Sequence, residues 1–470
     1  MSAKSTEPSA DRTAIKRLPR RLILCLDGTW NDPNSEDITN IVRLRDMLQP
    51  GVTDGVEQRI YYDEGVGTGG SKLKRSFDGA TGSGLDVNVR QAYRFLSQFY
   101  APGDDIFIFG FSRGAFTARS LAGYIGASGL LKAENCTTQN EQTVWELYRT
   151  PPKDRYPADT VWLRTLTHDG VRIRGLGVFD TVGSLGIPGS VFRRNRERYE
   201  FHDTALSSII DVSLHAVAID EKRRWYPPAL WQVPQHAGFT AVEQVWFPGV
   251  HSDIGGGYQA GGIGALTLAW MLKRLDALTP AGHGPVFRPG ELEALQGEDS
   301  PDIHESRKSP LFFMDRDDPT YRVIAQQRPR GAGVRVAGLP PQARSIGEHI
   351  HLSALARLTD GKNEAGGAYD PPNLRAALEA FFAPTHTVLP RPKIALGFVG
   401  KQNRPLDWIG NAADFDELRA ALPQTYRAEL DKARNVWAAA VKTDKSSRTA
   451  AATPEAAAAK VQSATAETVR

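Results

Sequence analysis

Cysteine is nearly absent from this chain, with Cys25 and Cys136 the only two among 470 residues. Two thiols cannot build a disulfide framework or a cysteine metal site, so stability has to come from packing in a reducing compartment. Each is read as a small buried hydrophobe. Long apolar runs are missing too. Nowhere do about 18 uncharged apolar residues follow one another, which excludes a spanning helix. The first segment, MSAKSTEPSADRTAIKRLPRR, is basic but has no apolar stretch behind it, and LILCLD is short and ends in a charge, so no signal peptide is expected. A surplus of one charge is also lacking. Fifty-seven basic side chains stand against 54 acidic ones, and a net charge of +3 gives no reason to expect a nucleic-acid partner. What is present is a globular composition, 41% hydrophobic and 24% charged, long enough for a large core.

Short apolar runs ending in Gly or Asp alternate with helical periodicity from residue 21 onward. RLILCLD (21–27), QRIYYD (58–63), DIFIFG (105–110), RIRGLGVFD (172–180) and EQVWF (243–247) read as strands. Residues 40–48, 85–100, 113–129, 204–220 and 264–278 read as helices. That alternation predicts an α/β fold with a mostly parallel sheet flanked by helices. Long Arg-, Pro- and Trp-containing segments at 187–203, 222–240 and 284–345 read as insertions over the edge where the strands end. Helical patches return at 371–383 and 413–442, followed by an Ala/Thr/Ser-rich tail. The expected division is a disordered arm over 1–20, a catalytic domain over 21–283, a lid or accessory region over 284–442 and a low-complexity tail over 443–470.

Two motifs fail on context. LCLDGTW has the outline of the aspartyl-phosphate phosphatase motif, but Cys25 stands where the attacking aspartate belongs. Gly65, Gly67 and Gly70 form a G-x-G-x-x-G with Asp86 about 20 residues on, the spacing of a dinucleotide fingerprint. No helix begins within those glycines, and Asp86 opens a helix rather than closing a strand. A flexible loop is the better reading.

Gly110-Phe111-Ser112-Arg113-Gly114 has the stronger context. A nucleophile elbow needs a buried strand, a turn too tight for side chains two residues either side of the serine, and a helix aimed back at it. DIFIF, the elbow glycines Gly110 and Gly114, and AFTARSLAGYIG meet these conditions. Ser112 is therefore the candidate nucleophile, with the Arg113 N–H aimed at an oxyanion. A serine needs a base and the base an orienting acid, in the chain order Ser, Asp, His at successive strand ends. Asp180, closing GLGVFD, is the acid candidate. His251, in PGVHSDIGGGY, is the base candidate, with glycines 255–257 leaving room for close approach. His215 sits in a helical pattern, and His349 and His351 lie beyond the sheet pattern, so they rank lower. Asp253 reads as loop structure. Asp27 and Asp63 share its edge, but no ligand motif accompanies the three and no metal is expected. The second oxyanion donor is sought after the first strand, at the Gly28 or Thr29 N–H. This chemistry needs no organic cofactor.

GFSRGAFTARSLAG, VFDTVGSLG, HAVAIDEKRRWYPP and WFPGVHSDIGGGY, with CLDGTWN before them, together resemble one family over roughly residues 20–280. It is the uncharacterised α/β-hydrolase domain family that includes the type VI secretion phospholipase effectors of family one. The resemblance implies a serine hydrolase with Ser112, Asp180 and His251 as nucleophile, acid and base. It implies acyl esters of glycerophospholipids as substrate, contact with a membrane surface, and a secretion spike and an immunity protein as partners. Such a protein is cytoplasmic in the producing cell and is exported without a signal peptide. Trp225, Tyr226 and Trp231 can serve an acyl chain or lipid interface, or the core. A carboxylesterase or thioesterase on a soluble or polymeric ester, and a non-catalytic module of a secretion or envelope complex, are the competing readings.

Overall fold

The computed structural model describes residues 17–28, 38–65, 82–182, 206–232, 241–258, 262–295, 303–308, 318–329, 335–337, 345–360, 367–383 and 396–434. Thirteen strands are found among them: β1 (Arg20–Leu26), β2 (Gly51–Thr53), β3 (Val56–Asp63), β4 (Asp105–Phe111), β5 (Leu130–Leu131), β6 (Thr167–His168), β7 (Ile173–Phe179), β8 (Ile210–Ala218), β9 (Ala241–Phe247), β10 (Thr320–Arg322), β11 (Arg335–Ala337), β12 (Glu348–His351) and β13 (Gly397–Val399). Nine of these form one sheet in the order β13-β12-β9-β8-β7-β4-β1-β3-β2. All neighbours run parallel except β2, which pairs antiparallel with β3 at the edge. The fold is α/β, with a mostly parallel sheet flanked by helices.

The central strands read as unbroken apolar runs because both faces are covered. In β4 every residue is buried, and alternate side chains enter two different cores. Phe107, Phe109 and Phe111 join Ile23 and Cys25 of β1 on one face. Ile106 and Ile108 join Leu22, Leu24 and Leu26 on the other. At about 1.5–3 kcal/mol for each large apolar side chain fully buried, this strand is a main anchor of the fold. β1 has β3 on one side and β4 on the other, so the strand order reverses between β1 and β4, the kind of switch point at whose carboxyl ends open α/β sheets place their ligand sites.

Two expectations are corrected. Residues 210–218, expected within a helix, form β8 between β7 and β9. A short apolar run such as IDVSLHAVA fits a buried helix or a buried strand equally by periodicity; its β-branched content and burial on both faces decide for the strand. His349 and His351, expected beyond the sheet, lie on β12 within it. Residues after 283 thus supply two strands, β12 and β13, to the central sheet. Asp86 lies in the helix Gly82–Phe99, as its context indicated, while Gly67, Gly70, most of the expected N-terminal arm and the low-complexity tail fall outside the described residues. Among the described residues no helix is long and apolar enough to cross a membrane.

Candidate active site

Beyond β4 the backbone reverses within one residue. Ser112 has φ 56° and ψ −117°, a strained conformation for a side-chain-bearing residue. The helix Arg113–Ser128 follows at once, its first bond running from Phe116 N to Ser112 O at 3.2 Å. A Cβ on Gly110 would collide with the Gly114 carbonyl, and one on Gly114 with the Leu26 carbonyl at the end of β1. The two glycines let the helix start press directly on two strand ends. Ser112 N donates to Phe179 O of β7 at 3.1 Å, fixing the turn to the next strand. The serine side chain makes no capping bond to its helix. Its Oγ lies 2.8 Å from His251 Nε2.

His251 opens the short helix His251–Gly255 after β9. Its ring is packed against Phe111, with centroids 4.7 Å apart, and meets Tyr226 edge-on at 5.0 Å. Nδ1 lies 2.6 Å from Asp180 Oδ2. Nδ1 therefore carries the proton that the carboxylate accepts, and Nε2 is left to accept from Ser112. Burial pulls the His251 imidazole below its ordinary value, and the Asp180 hydrogen bond and charge only partly oppose that.

Asp180 closes β7 with φ 38° and is fully buried. Burial by itself would push its carboxyl up; the Arg322 guanidinium and the His251 hydrogen bond overcome that and hold it well below the usual carboxylate range. Arg322 Nη1 and Nη2 donate to Oδ1 and Oδ2 at 2.5 and 2.9 Å, and Ala218 N donates to Oδ1 at 2.9 Å. The next residue is held by His215: Thr181 N donates to His215 Nε2 at 3.1 Å, which leaves Nδ1 to donate to Gln244 Oε1 at 3.2 Å. Burial, reinforced by Arg119, lowers His215 to about 3 and keeps it neutral. A second buried carboxylate underlies His251. Glu221 Oε2 accepts from His251 N at 3.3 Å and from Arg223 Nη2 at 2.7 Å. Arg223 lies over the Tyr226 ring.

Of the expected site residues, the structure brings Ser112, Asp180 and His251 into one hydrogen-bonded chain, with Gly110, Gly114 and Arg113 around the serine. Arg113 is desolvated, which lowers its guanidinium to about 10. Gly28 N donates to Asp27 Oδ1 at 2.7 Å, and Thr29 lies outside the described residues. The three carboxylates weighed as a cation site are each bound elsewhere by the protein. Asp27 accepts from Thr39 Oγ1 and Tyr62 OH, Asp63 from Gly65 N and Asn88, and Asp253 from Val250 N and His304. Gly255 and Gly256 allow close approach: the Phe111 ring stands where a Cβ on Gly255 would be, and the Thr39–Asn40 backbone where one on Gly256 would be. Trp231 is core, whereas Tyr226 lies beside His251. Sequence reasoning missed Arg322, Glu221, Arg223 and His215. His215 would have followed from reading 210–218 as a strand next to GLGVFD; no sequence signal links Arg322 to Asp180, 142 residues away.

Parallel sheet, switch point and strand-turn-helix define an α/β-hydrolase-like protein. Residues 20–274 match the family described as type VI secretion phospholipase effector Tle1-like, catalytic domain, and the chain belongs to that family. An uncharacterized protein of Saccharomyces cerevisiae is 33% identical over 242 residues, 47% of this chain and 33% of that protein. Among solved structures, an uncharacterized protein from Pseudomonas aeruginosa is 19% identical, with TM-score 0.33, covering 60% of this chain and 49% of the other. A Tle1 effector bound to the VgrG spike of the type VI secretion system is 20% identical, with TM-score 0.32, covering 55% and 56%. The chain thus spans a third of the yeast relative and about half of each solved chain.

Proposed function

We propose that this chain is a serine hydrolase that cleaves acyl esters of glycerophospholipids, with Ser112 as nucleophile, His251 as base and Asp180 as orienting acid. The observation that carries this reading is the Ser112 Oγ to His251 Nε2 to Asp180 chain at 2.8 and 2.6 Å, assembled on a strained turn at the switch point. His251 takes the serine proton as Oγ attacks the ester carbonyl, and the imidazolium then protonates the leaving alcohol. Water activated by the same nitrogen releases the fatty acid and restores Ser112. The oxyanion is received by the Arg113 N–H at the helix start, where the helix dipole also favours negative charge. A second donor is assigned to Gly28 or Thr29; for Gly28 to serve, its N–H must leave Asp27. The phospholipid substrate, delivery by a type VI spike, and a cognate immunity protein are inferred from family membership, and the export route needs no signal peptide.

A fluorophosphonate probe tests the chemistry: it should label wild type and leave Ser112→Ala unlabelled, while turnover of a nitrophenyl ester falls by about 10⁴-fold or more in that variant. A folded wild-type protein that the probe does not touch overturns the assignment. Fatty-acid release from phospholipid liposomes, beside a short-chain nitrophenyl ester, tests the substrate class. Turnover of the soluble ester alone would replace phospholipid by a soluble acyl ester.

A further inference from the structure

The loops that carry Asp180, Glu221 and His251 are held by side chains from the far end of the chain. Ser306 Oγ donates to Glu221 Oε1 at 3.0 Å, Tyr369 OH to Asp220 Oδ2 at 3.0 Å, and Asn373 Nδ2 to Ile219 O at 3.0 Å. His304 Nδ1 lies 2.6 Å from Asp253 Oδ1. Beside them Arg322 is almost fully buried, 1% exposed. Besides both oxygens of Asp180 it donates to Ala218 O at 3.0 Å and Tyr226 O at 2.9 Å, so four acceptors define one position for the guanidinium. Its own strand is tied down on both sides, by Thr320 N to Lys222 O at 3.0 Å and by Ala325 N to Glu348 Oε2 at 2.9 Å. All of these bracing residues lie beyond residue 274, where the match to the family's catalytic domain ends.

We propose that Arg322 is a positioning residue for the reaction: by gripping both oxygens of Asp180 it keeps Oδ2 turned to His251 and offsets the aspartate charge, so that the region after the catalytic domain completes the active site. The inference rests on the reading of Ser112 and His251 as nucleophile and base. A bare carboxylate beside an imidazole favours the imidazolium, which cannot accept the serine proton; a guanidinium on the other side of the carboxylate weakens that pull. The groups facing His251 are Asp180, Glu221 at its backbone N–H, Arg223 beyond Glu221, the Tyr226 ring, and Asp253 two residues on. Those facing Asp180 are Arg322, His251 and neutral His215, with Arg119 behind the last. Glu221 is paired with Arg223 and Asp253 with His304. Asp180 is thus the anion that His251 feels most directly, and Arg322 the cation that tempers it.

The test uses the full chain and 4-nitrophenyl butyrate. Arg322→Met should lower kcat by about 10²-fold at little change in KM, the loss expected for a misplaced catalytic group. The acid limb of its kcat/KM profile should move to higher pH by about one pH unit, because the unopposed Asp180 charge favours the imidazolium. Arg322→Lys should keep the limb in place and still lose rate, since an ammonium supplies charge but not a planar fork. An unmoved limb in folded Arg322→Met overturns the proposal, whatever its rate. Should that variant not fold, the comparison passes to Asp180→Asn with and without Arg322→Met, the double variant leaving neither buried charge stranded. If Arg322 acts through Asp180, the double variant turns over within about threefold of Asp180→Asn alone; a further loss of about tenfold or more overturns the proposal. Failure of fluorophosphonate to label wild-type Ser112 removes the hydrolase reading and this inference together, whereas labelled wild type with an unmoved limb removes only the role of Arg322.

Discussion

The Ser112 side of the site is held by backbone against backbone, whereas the side carrying Asp180 and His251 is held by polar and charged side chains drawn from residues 303–373. At Ser112, Gly110 and Gly114 let a helix start, β4 and the end of β1 meet at contact distance. At Asp180, two guanidinium nitrogens and one backbone N–H hold a carboxylate that has no exposure. The first construction is local and tolerates no added atom. The second is long-range and electrostatic, so it responds to pH and to changes far away in the chain.

The largest expected effect strikes the electrostatic side. Asp180→Asn should lower kcat on a nitrophenyl ester by about 10⁴-fold, because the neutral amide no longer selects the Nδ1–H tautomer. It also strands Arg322, so the same variant should lose roughly 3–5 kcal/mol in denaturant unfolding. A rate within a few-fold of wild type would place the acid elsewhere. On the backbone side, Gly114→Ala should cost about 3 kcal/mol or more, since the Leu26 carbonyl has nowhere to move, and the surviving folded protein should not react with fluorophosphonate. Normal labelling would mean that the elbow is softer than its contacts imply.

The third prediction concerns acid. Arg223 and the nearby cations hold Glu221 near about 2 against the desolvation that would raise it, and Asp180 is lower still. Both titrate lower folded than unfolded, so the unfolded chain takes up protons first as pH falls. Their contribution is complete above about pH 4.5 and drains away toward pH 2, on the order of 2 kcal/mol for Glu221. Comparing urea unfolding of wild type and Glu221→Gln over that range should show the acid slope flattened in the variant; parallel slopes would remove Glu221 from the account. The smallest effect separates the two sides most finely. Tyr369→Phe removes one hydrogen bond to Asp220, whose carboxyl burial raises to about 6. The loss should be about 1 kcal/mol below pH 6 and larger above it, where the tyrosine would face a carboxylate. Equal losses at both pH values would contradict the raised titration.

The contrast also governs how much could be read in advance. Strand β4, its glycines and the following helix form one contiguous pattern, so the turn at Ser112 was legible from periodicity and residue size. Asp180 was legible because it ends an apolar run and is followed by turn residues, and His251 because it follows the strand EQVWF in a glycine-rich segment. β8 was misread because a nine-residue apolar run looks alike in a buried strand and a buried helix, and His215 was misplaced with it. The contributions of β12 and β13 were missed because each is only three or four residues long.

By itself, then, the sequence determined a parallel α/β core, the sharp turn at Ser112 and the chain order of the three hydrogen-bonded residues, since these depend on local periodicity and on which side chains a turn can hold. Only the tertiary structure decided which cation would meet Asp180, which carboxylate would lie under His251, and that residues after 283 would extend the sheet and brace the edge that carries Asp180 and His251. Pairing across 142 residues leaves no periodic trace, because an arginine on a three-residue strand is the same letter whether it faces water or a buried aspartate.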